Sequence, residues 1–432
     1  MLAIIILIFE LGLLAAMNGT GITDVGGVAA TGLILVFTLG FAASVQNSDR
    51  LRKCSNALIL GYLLRVFLLY FDLYANNIFV LPNSGADAEM FYAGALRYME
   101  SGGATRTVFP LVMGTIFRFI GQNRLYGQFL VMLCSVVSLV VLAYTMEDLD
   151  ISDESRKRVF MIVCLLPNFA ILSSIFLRES MVTMFVTISA CLMVSWIVKG
   201  GNLKVPLAIA ASIAASYFHS GTVGITIGCV LAVLIYDQKE RRVRLSGGHI
   251  LLAIVVALGA SFVYLRYGNW LLSKFNAFDS LEDIANTSEK GGSSYARYVG
   301  NSNNPINMLI YSIPRMVYFL FSPFPWQWRG ISDIIAFFFS GLYYIVVIKD
   351  IFVYLRGGQK RNRGMVFSLL LMAFFTTYIF AWGTSNTGTA ARHRDKMVCL
   401  YGVLFALTRA DNGVQTVSEQ NETKPVGLRY IK

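Results

Sequence analysis

The chain begins with MLAIIILIFELGLLAAM (residues 1–17), an apolar run interrupted by a single acidic side chain. A helix of about 20 apolar residues crosses the hydrocarbon core of a bilayer. Similar stretches recur, among them VAATGLILVFTLGFAASV (28–45) and GMVFSLLLMAFFTTYIF (364–380). Because a segment inside the bilayer must satisfy its own backbone hydrogen bonds, these stretches predict helices. The sequence therefore predicts an all-α polytopic membrane protein.

The composition supports this fold class. Of the 432 residues, 56% are hydrophobic and 14% are charged, which is too apolar for a soluble protein of this length. The net charge of +11 does not indicate nucleic acid as a partner, since cytoplasmic loops of membrane proteins carry an excess of Lys and Arg. Six cysteines lie singly, so neither a disulfide framework nor a zinc site is indicated. With three scattered histidines, we predict no metal site.

The orientation of the helices follows from the basic loops, because Lys and Arg are retained on the cytoplasmic side. Four basic runs are assigned to the cytoplasm: DRLRK (49–53), SRKR (155–158), DQKERRVR (237–244) and KDIFVYLRGGQKRNR (349–363). Successive runs must be separated by an even number of crossings, yet two of the intervals contain an odd number of apolar segments. We therefore predict that residues 108–120 and 307–322 are broken or re-entrant segments, the second because of its prolines.

The resulting topology has about twelve to fourteen transmembrane helices with both termini in the cytoplasm. Residues 1–409 form a single integral-membrane domain, followed by a polar cytoplasmic tail, 410–432. Two larger loops, 73–107 and 268–306, face the extracytoplasmic side. Most of the unusual polar residues fall on that same outer side.

Two carboxylates begin a tyrosine-rich segment in the first outer loop, GADAEMFYAGALRYME (85–100). Asp87 or Glu89 could act as a general base or orient a sugar hydroxyl. The alternative is that both are residues favoured at a helix N-terminus by the dipole. At this spacing the two side chains point to different faces, so we expect only one to be catalytic.

Two further sites interrupt apolar stretches. Arg178 and Glu179 lie at a break, where a charged pair near the bilayer surface is costly and usually functional. A hairpin turn with a snorkelling Arg178 is the alternative. His219 lies at the tip of a second hairpin, where a neutral imidazole could accept a proton from a hydroxyl group, although a structural histidine fits the position equally well.

A cationic run, GTAARHRDKM (388–397), begins what we predict to be the last membrane helix, with Arg392, His393 and Arg394 in its first turn. Cations at a helix N-terminus are unfavourable unless an anion lies nearby. The predicted topology places this run on the outer side, where cytoplasmic retention does not explain it. With Arg178 and Arg315 it could form a clamp for a phosphate or diphosphate.

Aromatic side chains on the outer side could contact carbohydrate. Tyr295 lies in the loop EKGGSSYARYVGNSNNPIN (289–307), whose neutral donors and aromatic faces suit a sugar, as they also suit an ordinary flexible loop. Trp326 belongs to FSPFPWQWRG (321–330), where anchoring at the membrane interface is the alternative explanation.

These motifs resemble a known family. LRES (177–180), FHSG (218–221), IPR with FSPFPW (313–326) and ARHR (391–394) are similar to the pattern of bacterial Wzy-type oligosaccharide repeat-unit polymerases and related EpsG-like proteins, which share features with integral-membrane glycosyltransferases of the GT-C type. The resemblance covers about residues 80–400.

The resemblance implies a polymerase at the outer face of the bacterial plasma membrane. It would join polyprenyl-diphosphate-linked repeat units delivered by a flippase, with a chain-length regulator as a further partner and without a nucleotide sugar or a metal. Arginines would hold the leaving diphosphate, which assigns Arg178, Arg315, Arg392 and Arg394 as ligands with His393 assisting. The base would come from Asp87, Glu89 or His219, with Glu179 as a further catalytic candidate.

Two other functions fit the same residues. The first is a GT-C glycosyltransferase that uses a polyprenyl-phosphate sugar and adds one residue, with Asp87 and Glu89 as its main motif. The second is a flippase for lipid-linked oligosaccharide. Transporters carry charged residues along the membrane interior and often contain internal repeats, whereas here the charges gather at one face and no repeat is evident.

Overall fold

A computed structural model describes the following residues of the chain: 1–20, 26–103, 105, 107–149, 151–240, 242–244, 247, 294–295, 299, 305–357 and 362–409. The predicted tail 410–432 and most of the predicted outer loop 268–306 lie outside the described residues.

Helices make up nearly all of the described chain. In order they are α1 (Leu2–Gly19), α2 (Gly27–Gln46), α3 (Ser55–Tyr74), α4 (Ala86–Ser101), α5 (Val108–Ile120), α6 (Arg124–Asp148), α7 (Asp153–Leu165), α8 (Pro167–Ser174), α9 (Glu179–Lys199), α10 (Lys204–Phe218), α11 (Val223–Ile235), α12 (Pro305–Phe321), α13 (Ile331–Ala336), α14 (Leu342–Arg356), α15 (Arg363–Trp382), α16 (Thr387–Arg394) and α17 (398–409). A small antiparallel hairpin, β1 (Tyr236–Asp237) and β2 (Arg242–Val243), follows α11.

Seven helices of the described part are long and apolar enough to cross a membrane, and the bent pair α7–α8 would make an eighth. The prediction of an all-α, membrane-embedded protein is therefore confirmed, whereas the number of crossings stays a prediction. Four of the shorter helices are also apolar. They are α5, α10, α11 together with the helical turn before it (Ser220–Ile235), and the part Leu309–Phe321 of α12.

The helices do not break at the proline where the sequence predicts a break. The backbone stays helical through Pro314 inside α12, so the break expected there is wrong. Neighbouring helices can compensate the hydrogen bond that a proline removes, and α12 packs against α15 and α16. A bend of 49° lies instead between α7 and α8, at Pro167. Pro167 disfavours helical dihedral angles in the preceding Leu166, which adopts φ −58° and ψ 114°.

The segment 108–120 is the unbroken helix α5. It has 13 residues, which is too short for an ordinary span, and it forms a hairpin with α4. The two helices approach closely because Gly94 faces Pro110 and Gly114 faces the backbone of Ala95. This hairpin carries both carboxylates of the first predicted outer loop, Asp87 and Glu89.

The basic loops 49–53 and 155–158 meet at one end of the bundle, which we call the basic end. Arg50 and Lys199 both pair with Asp148, and Lys53 pairs with Asp153 at 3.1 Å. Helix α9 runs from Glu179 to Lys199, a rise of about 30 Å at 1.5 Å per residue. Glu179 and its neighbours therefore lie at the opposite end.

A glycine motif sets the contact between α11 and α15. Gly224 and Gly228, in GITIG (224–228), lie against the α15 backbone; a Cβ atom on Gly228 would come within 2.3 Å of the Cα of Met372. Small residues at this spacing let membrane helices approach closely. The close approach also brings the turn at His219 against the last turns of α15, where the His219 ring lies 5.2 Å from that of Phe380.

Candidate functional site

The cationic run ARHR occupies the end of a short helix. Asn386 caps α16 by accepting hydrogen bonds from the N–H groups of Gly388 (2.9 Å) and Thr389 (3.3 Å). Arg392, His393 and Arg394 therefore lie in the last turn of α16, so their predicted position in a first turn is wrong.

Consecutive side chains of this segment point to different partners. Arg392 and Lys396, four residues apart, both contact Glu179. His393 lies against His219, with ring centroids 4.7 Å apart. Arg394 is directed into the protein interior. Only part of the ARHR motif therefore faces the other candidate residues.

Arg392 joins two carboxylates from distant parts of the chain. Its Nε donates to an oxygen of Glu179 at 2.7 Å, and its Nη1 donates to Asp87. The ammonium group of Lys396 lies 3.4 Å from the same Glu179 oxygen. Charge-assisted bonds of this kind are stronger than neutral ones and fix the guanidinium plane. The helices α4, α9 and α16 are thus connected at one point.

Arg178 lies beside this group, between α8 and α9. Its Nη1 donates to the carbonyl of Phe218 at 3.2 Å, and its guanidinium lies 5.6 Å from the ring centroid of Phe91. The buried Nε has no hydrogen-bond partner among the described residues.

We define the Arg392 cluster by seven residues: Asp87, Arg178, Glu179, His219, Arg392, His393 and Lys396. They come from segments that are far apart in the sequence, and all lie at the end opposite the basic end.

The two histidines are held in defined orientations. The Nδ1 of His219 accepts the N–H of Gly221 at 3.3 Å, and the Nδ1 of His393 lies 3.1 Å from the hydroxyl of Thr384. Burial, followed by the charge of Lys396 and the neighbouring His393, holds the pKa of His219 well below its usual range. Neutral His219 therefore carries its proton on Nε2. It can donate this proton to a ligand, which does not favour the role of base.

The structure separates the two carboxylates of α4, Asp87 and Glu89. Asp87 contacts Arg392, whereas Glu89 forms two hydrogen bonds with Arg124, at 2.5 and 2.7 Å. The bond from Arg124 lowers the pKa of Glu89. Of these two candidates only Asp87 belongs to the cluster, in agreement with their expected orientation to different faces.

The four-arginine clamp does not form as predicted. Arg394 is completely buried and donates to the carbonyls of Leu320 (3.0 Å) and Ser322 (2.6 Å), at the end of α12, and to the hydroxyl of Ser340. The two carbonyls are among those that every helix leaves unpaired at its C-terminus. Arg394 therefore has a structural role, and the prediction that it binds phosphate is not retained.

Arg315 also lies in the protein interior. Its guanidinium stacks over the ring of Trp382 at 4.4 Å, and the indole N–H of Trp382 donates to Ser312 on α12. The Arg315 side chain is buried, so it lacks the exposure that contact with a ligand would need. We assign it to the contact between α12 and α15.

Tyr295 and Trp326 have different surroundings. Tyr295 is buried and donates from its hydroxyl to the carbonyl of Thr384 at 2.9 Å, so it braces the residue that bonds His393. Trp326 is 61% exposed and stacks on Phe324, with ring centroids 4.6 Å apart and planes within 7°. Its indole N–H donates to the hydroxyl of Tyr318 at 3.2 Å. Only Trp326 offers an open aromatic face.

The sequence motifs did not predict a role for Lys396. Its position four residues after Arg392 was the available signal, because residues at that spacing share a helix face.

Within the described residues, no group of three or more His, Cys, Asp or Glu side chains is arranged to hold a metal ion. An apolar cavity of about 610 Å³ lies between α1, α2 and α6 at the basic end, away from the cluster.

No family model, curated protein or solved structure matches this chain.

Proposed function

We propose that the protein is a glycosyltransferase of the polysaccharide polymerase type, embedded in the bacterial plasma membrane. It would join polyprenyl-diphosphate-linked oligosaccharide repeat units at the outer face. The observation that supports this proposal is the Arg392 cluster, in which two arginines and a lysine meet at the end of the bundle opposite the basic loops. Cytoplasmic retention does not account for cations at that end.

The chemistry requires stabilisation of a leaving group. The bond between C1 of the donor sugar and the diphosphate oxygen breaks, and negative charge grows on the diphosphate. Fixed cations aimed at this charge lower the barrier because they bind the transition state more tightly than the ground state. Arg392 and Arg178 would supply guanidinium donors, and Lys396 would supply a compact charge behind them.

The remaining groups have complementary roles. A carboxylate is needed near the acceptor hydroxyl, and Asp87 suits this role because half of its side chain is exposed. Glu179 is buried between Arg392 and Lys396, so it acts as a positioning residue. His219 would donate from Nε2 to the diphosphate, with His393 and Thr384 holding the ring pair. The reaction in this form requires no metal or cofactor.

The aromatic face of Trp326 would contact the saccharide. Its stack with Phe324 is connected to the cluster through Tyr318, Tyr295 and Thr384, which are linked by ring contacts and hydrogen bonds. A flippase that supplies the lipid-linked units and a regulator of chain length are the proposed protein partners.

Deletion of the gene, followed by analysis of lipid-linked saccharides, tests the proposal. A polymerase predicts accumulation of single complete repeats on the lipid carrier. Incomplete repeats would instead indicate a polyprenyl-phosphate-dependent enzyme that adds one sugar, and complete repeats trapped at the cytoplasmic face would indicate a flippase.

Complementation locates the activity in the cluster. Arg392→Ala should fail to restore polymer although the protein reaches the membrane. Arg158→Ala is the matched control, because Arg158 is an exposed arginine at the basic end that pairs only with Glu154 among the described residues. Polymer of normal length from the Arg392 variant would contradict the proposed role.

A further inference from the structure

Arg392 is held by two carboxylates that differ in their surroundings. The Glu179 side chain is 4% exposed and also contacts Lys396, so it cannot move without leaving a buried charge unpaired. The Asp87 side chain is 51% exposed and touches Arg392 from the separate α4–α5 hairpin. Glu179 therefore fixes the Arg392 guanidinium. Asp87 occupies a position beside this guanidinium that another anion can take.

The anchoring of α4 does not depend on Asp87. The helix is held by the bonds between Glu89 and Arg124. The Asp87 side chain can thus rotate away from Arg392 while the body of α4 stays in place.

The charges of the cluster point to the ligand that displaces it. Arg178 and Arg392 keep their charge and face Asp87 and Glu179, so displacement of Asp87 leaves a net positive charge at the position that it held. A phosphate diester carries one negative charge, whereas a diphosphate diester carries one on each phosphate. The diphosphate therefore competes more strongly with Asp87 for the two arginines.

We propose that Asp87 holds the diphosphate position on Arg392 until the lipid-linked donor displaces it, and that the released carboxylate then accepts the proton of the acceptor hydroxyl. This inference rests on the proposed function and deepens it. Donor binding becomes the event that frees the base, so the donor binds before the acceptor reacts. A donor with a single phosphate displaces Asp87 less effectively, and the cluster thereby selects a diphosphate.

The chemical step is balanced in atoms and electrons. The acceptor oxygen forms a bond to C1 of the donor sugar while the bond from C1 to the diphosphate oxygen breaks. The electron pair of that bond leaves on polyprenyl diphosphate. The hydroxyl proton passes to the Asp87 carboxylate, which returns it to water after the product departs.

Binding measurements on the purified full chain in nanodiscs test the displacement. Two probes with the same short polyprenyl chain and the same monosaccharide are compared, one linked through a diphosphate and one through a single phosphate. Asp87→Asn removes the competing charge and keeps the side-chain shape. We expect about two- to fivefold tighter binding of the diphosphate probe, within the range of an exposed ion pair, and a smaller gain for the monophosphate probe.

Glu100→Gln provides the matched control, because Glu100 is an exposed carboxylate near the other end of α4. It should leave the affinity for both probes unchanged. In single-turnover assays Asp87→Asn should hold the donor tightly and transfer no chain, and Asp87→Glu should restore part of the transfer.

The outcomes separate this inference from the function on which it rests. Binding of the diphosphate probe that is unchanged or weaker in Asp87→Asn, while Arg392→Ala abolishes binding, would overturn the displacement and leave the diphosphate site intact. An equal gain for both probes would overturn the selection of a diphosphate. Failure of the wild-type protein to bind either probe would overturn the proposed function and the displacement with it.

Discussion

The Nε of Arg392 donates a hydrogen bond of 2.7 Å to Glu179, 213 residues earlier in the chain. Both side chains are largely buried, and Glu179 also holds Lys396. Glu179 has little freedom to move, so it fixes the plane of the Arg392 guanidinium. The orientation of Arg392 toward a ligand therefore depends on Glu179. A guanidinium can bond to this carboxylate and to a second anion at once, whereas an ammonium group acts as a point charge.

Arg392→Lys should therefore lose most of the activity. We expect at least a tenfold decrease in polymer synthesis, equivalent to about 1.4 kcal/mol of transition-state stabilisation, since Lys retains the charge and loses the fixed geometry. The measurement is polymer yield per amount of membrane protein. Arg158→Lys serves as the control, and equal yield from both variants would show that charge alone suffices.

Arg394 should behave differently from its neighbour. Its side chain pairs with carbonyls at the end of α12, so Arg394→Met leaves these acceptors without their donor. The loss of a buried, hydrogen-bonded group predicts destabilisation by about 2–4 kcal/mol and a lower amount of folded protein. Thermal unfolding in detergent measures this effect.

Arg392→Met is the matched comparison for Arg394→Met. The Arg392 variant should lose diphosphate binding while its unfolding temperature falls less than that of Arg394→Met. The reverse order, with Arg394→Met folded normally and defective in binding, would return Arg394 to the ligand-binding site.

Part of this site could be predicted from local sequence. Charged or polar residues that interrupt apolar runs mark helix ends, which is why Glu179 begins α9 and His219 follows α10 as expected. The spacing of Asp87 and Glu89 also predicted that only one would join the other residues. These conclusions depend on periodicity and on the cost of charge in a membrane.

The partners of each charge could not be predicted in the same way. Successive residues of a helix point about 100° apart, so Arg392 and Arg394 face opposite surroundings although they belong to one motif. The carbonyls that receive Arg394 come from α12, and the carboxylate that receives Arg392 comes from α9. Such contacts arise from tertiary packing. The same limit explains why Pro314, which removes one hydrogen bond, remained inside a helix.

The glycines of α11 were likewise not singled out, yet they set the distance to α15. Gly228→Ala places a Cβ atom within 2.3 Å of the Met372 backbone, so the two helices must move apart. Overpacking of this kind predicts a loss of about 1–3 kcal/mol. We expect a lower unfolding temperature and weaker diphosphate binding, because the turn at His219 moves with α11.

Gly32→Ala is the control for this prediction. Gly32 lies in α2, and a Cβ atom added to it would have no neighbouring atom within 4 Å, so alanine fits without displacement and favours the helix. Unfolding temperatures of both variants in the same detergent give the comparison. A Gly228→Ala protein as stable as Gly32→Ala would contradict the close packing of α11 and α15.

His219 should remain neutral well below the pH at which histidine usually titrates. Burial lowers its pKa most, and Lys396, His393, Arg178 and Arg392 lower it further, because a protonated imidazole would add a positive charge among these groups. With three histidines in the chain, side-chain NMR can follow each one, and His219→Gln assigns its signal. We expect no titration of His219 between about pH 8 and its ordinary pKa of about 6.5.

Removal of one cation provides a directional test. Arg178→Met lowers the positive charge near the imidazole, so the pKa of His219 should rise toward its ordinary value, and protonation should begin at a higher pH than in the wild type. Arg158→Met, at the basic end, should leave the titration unchanged. A His219 that titrates near its ordinary pKa in the wild type would contradict its burial among these cations. It would also remove the basis for assigning the proton to Nε2 in the neutral ring.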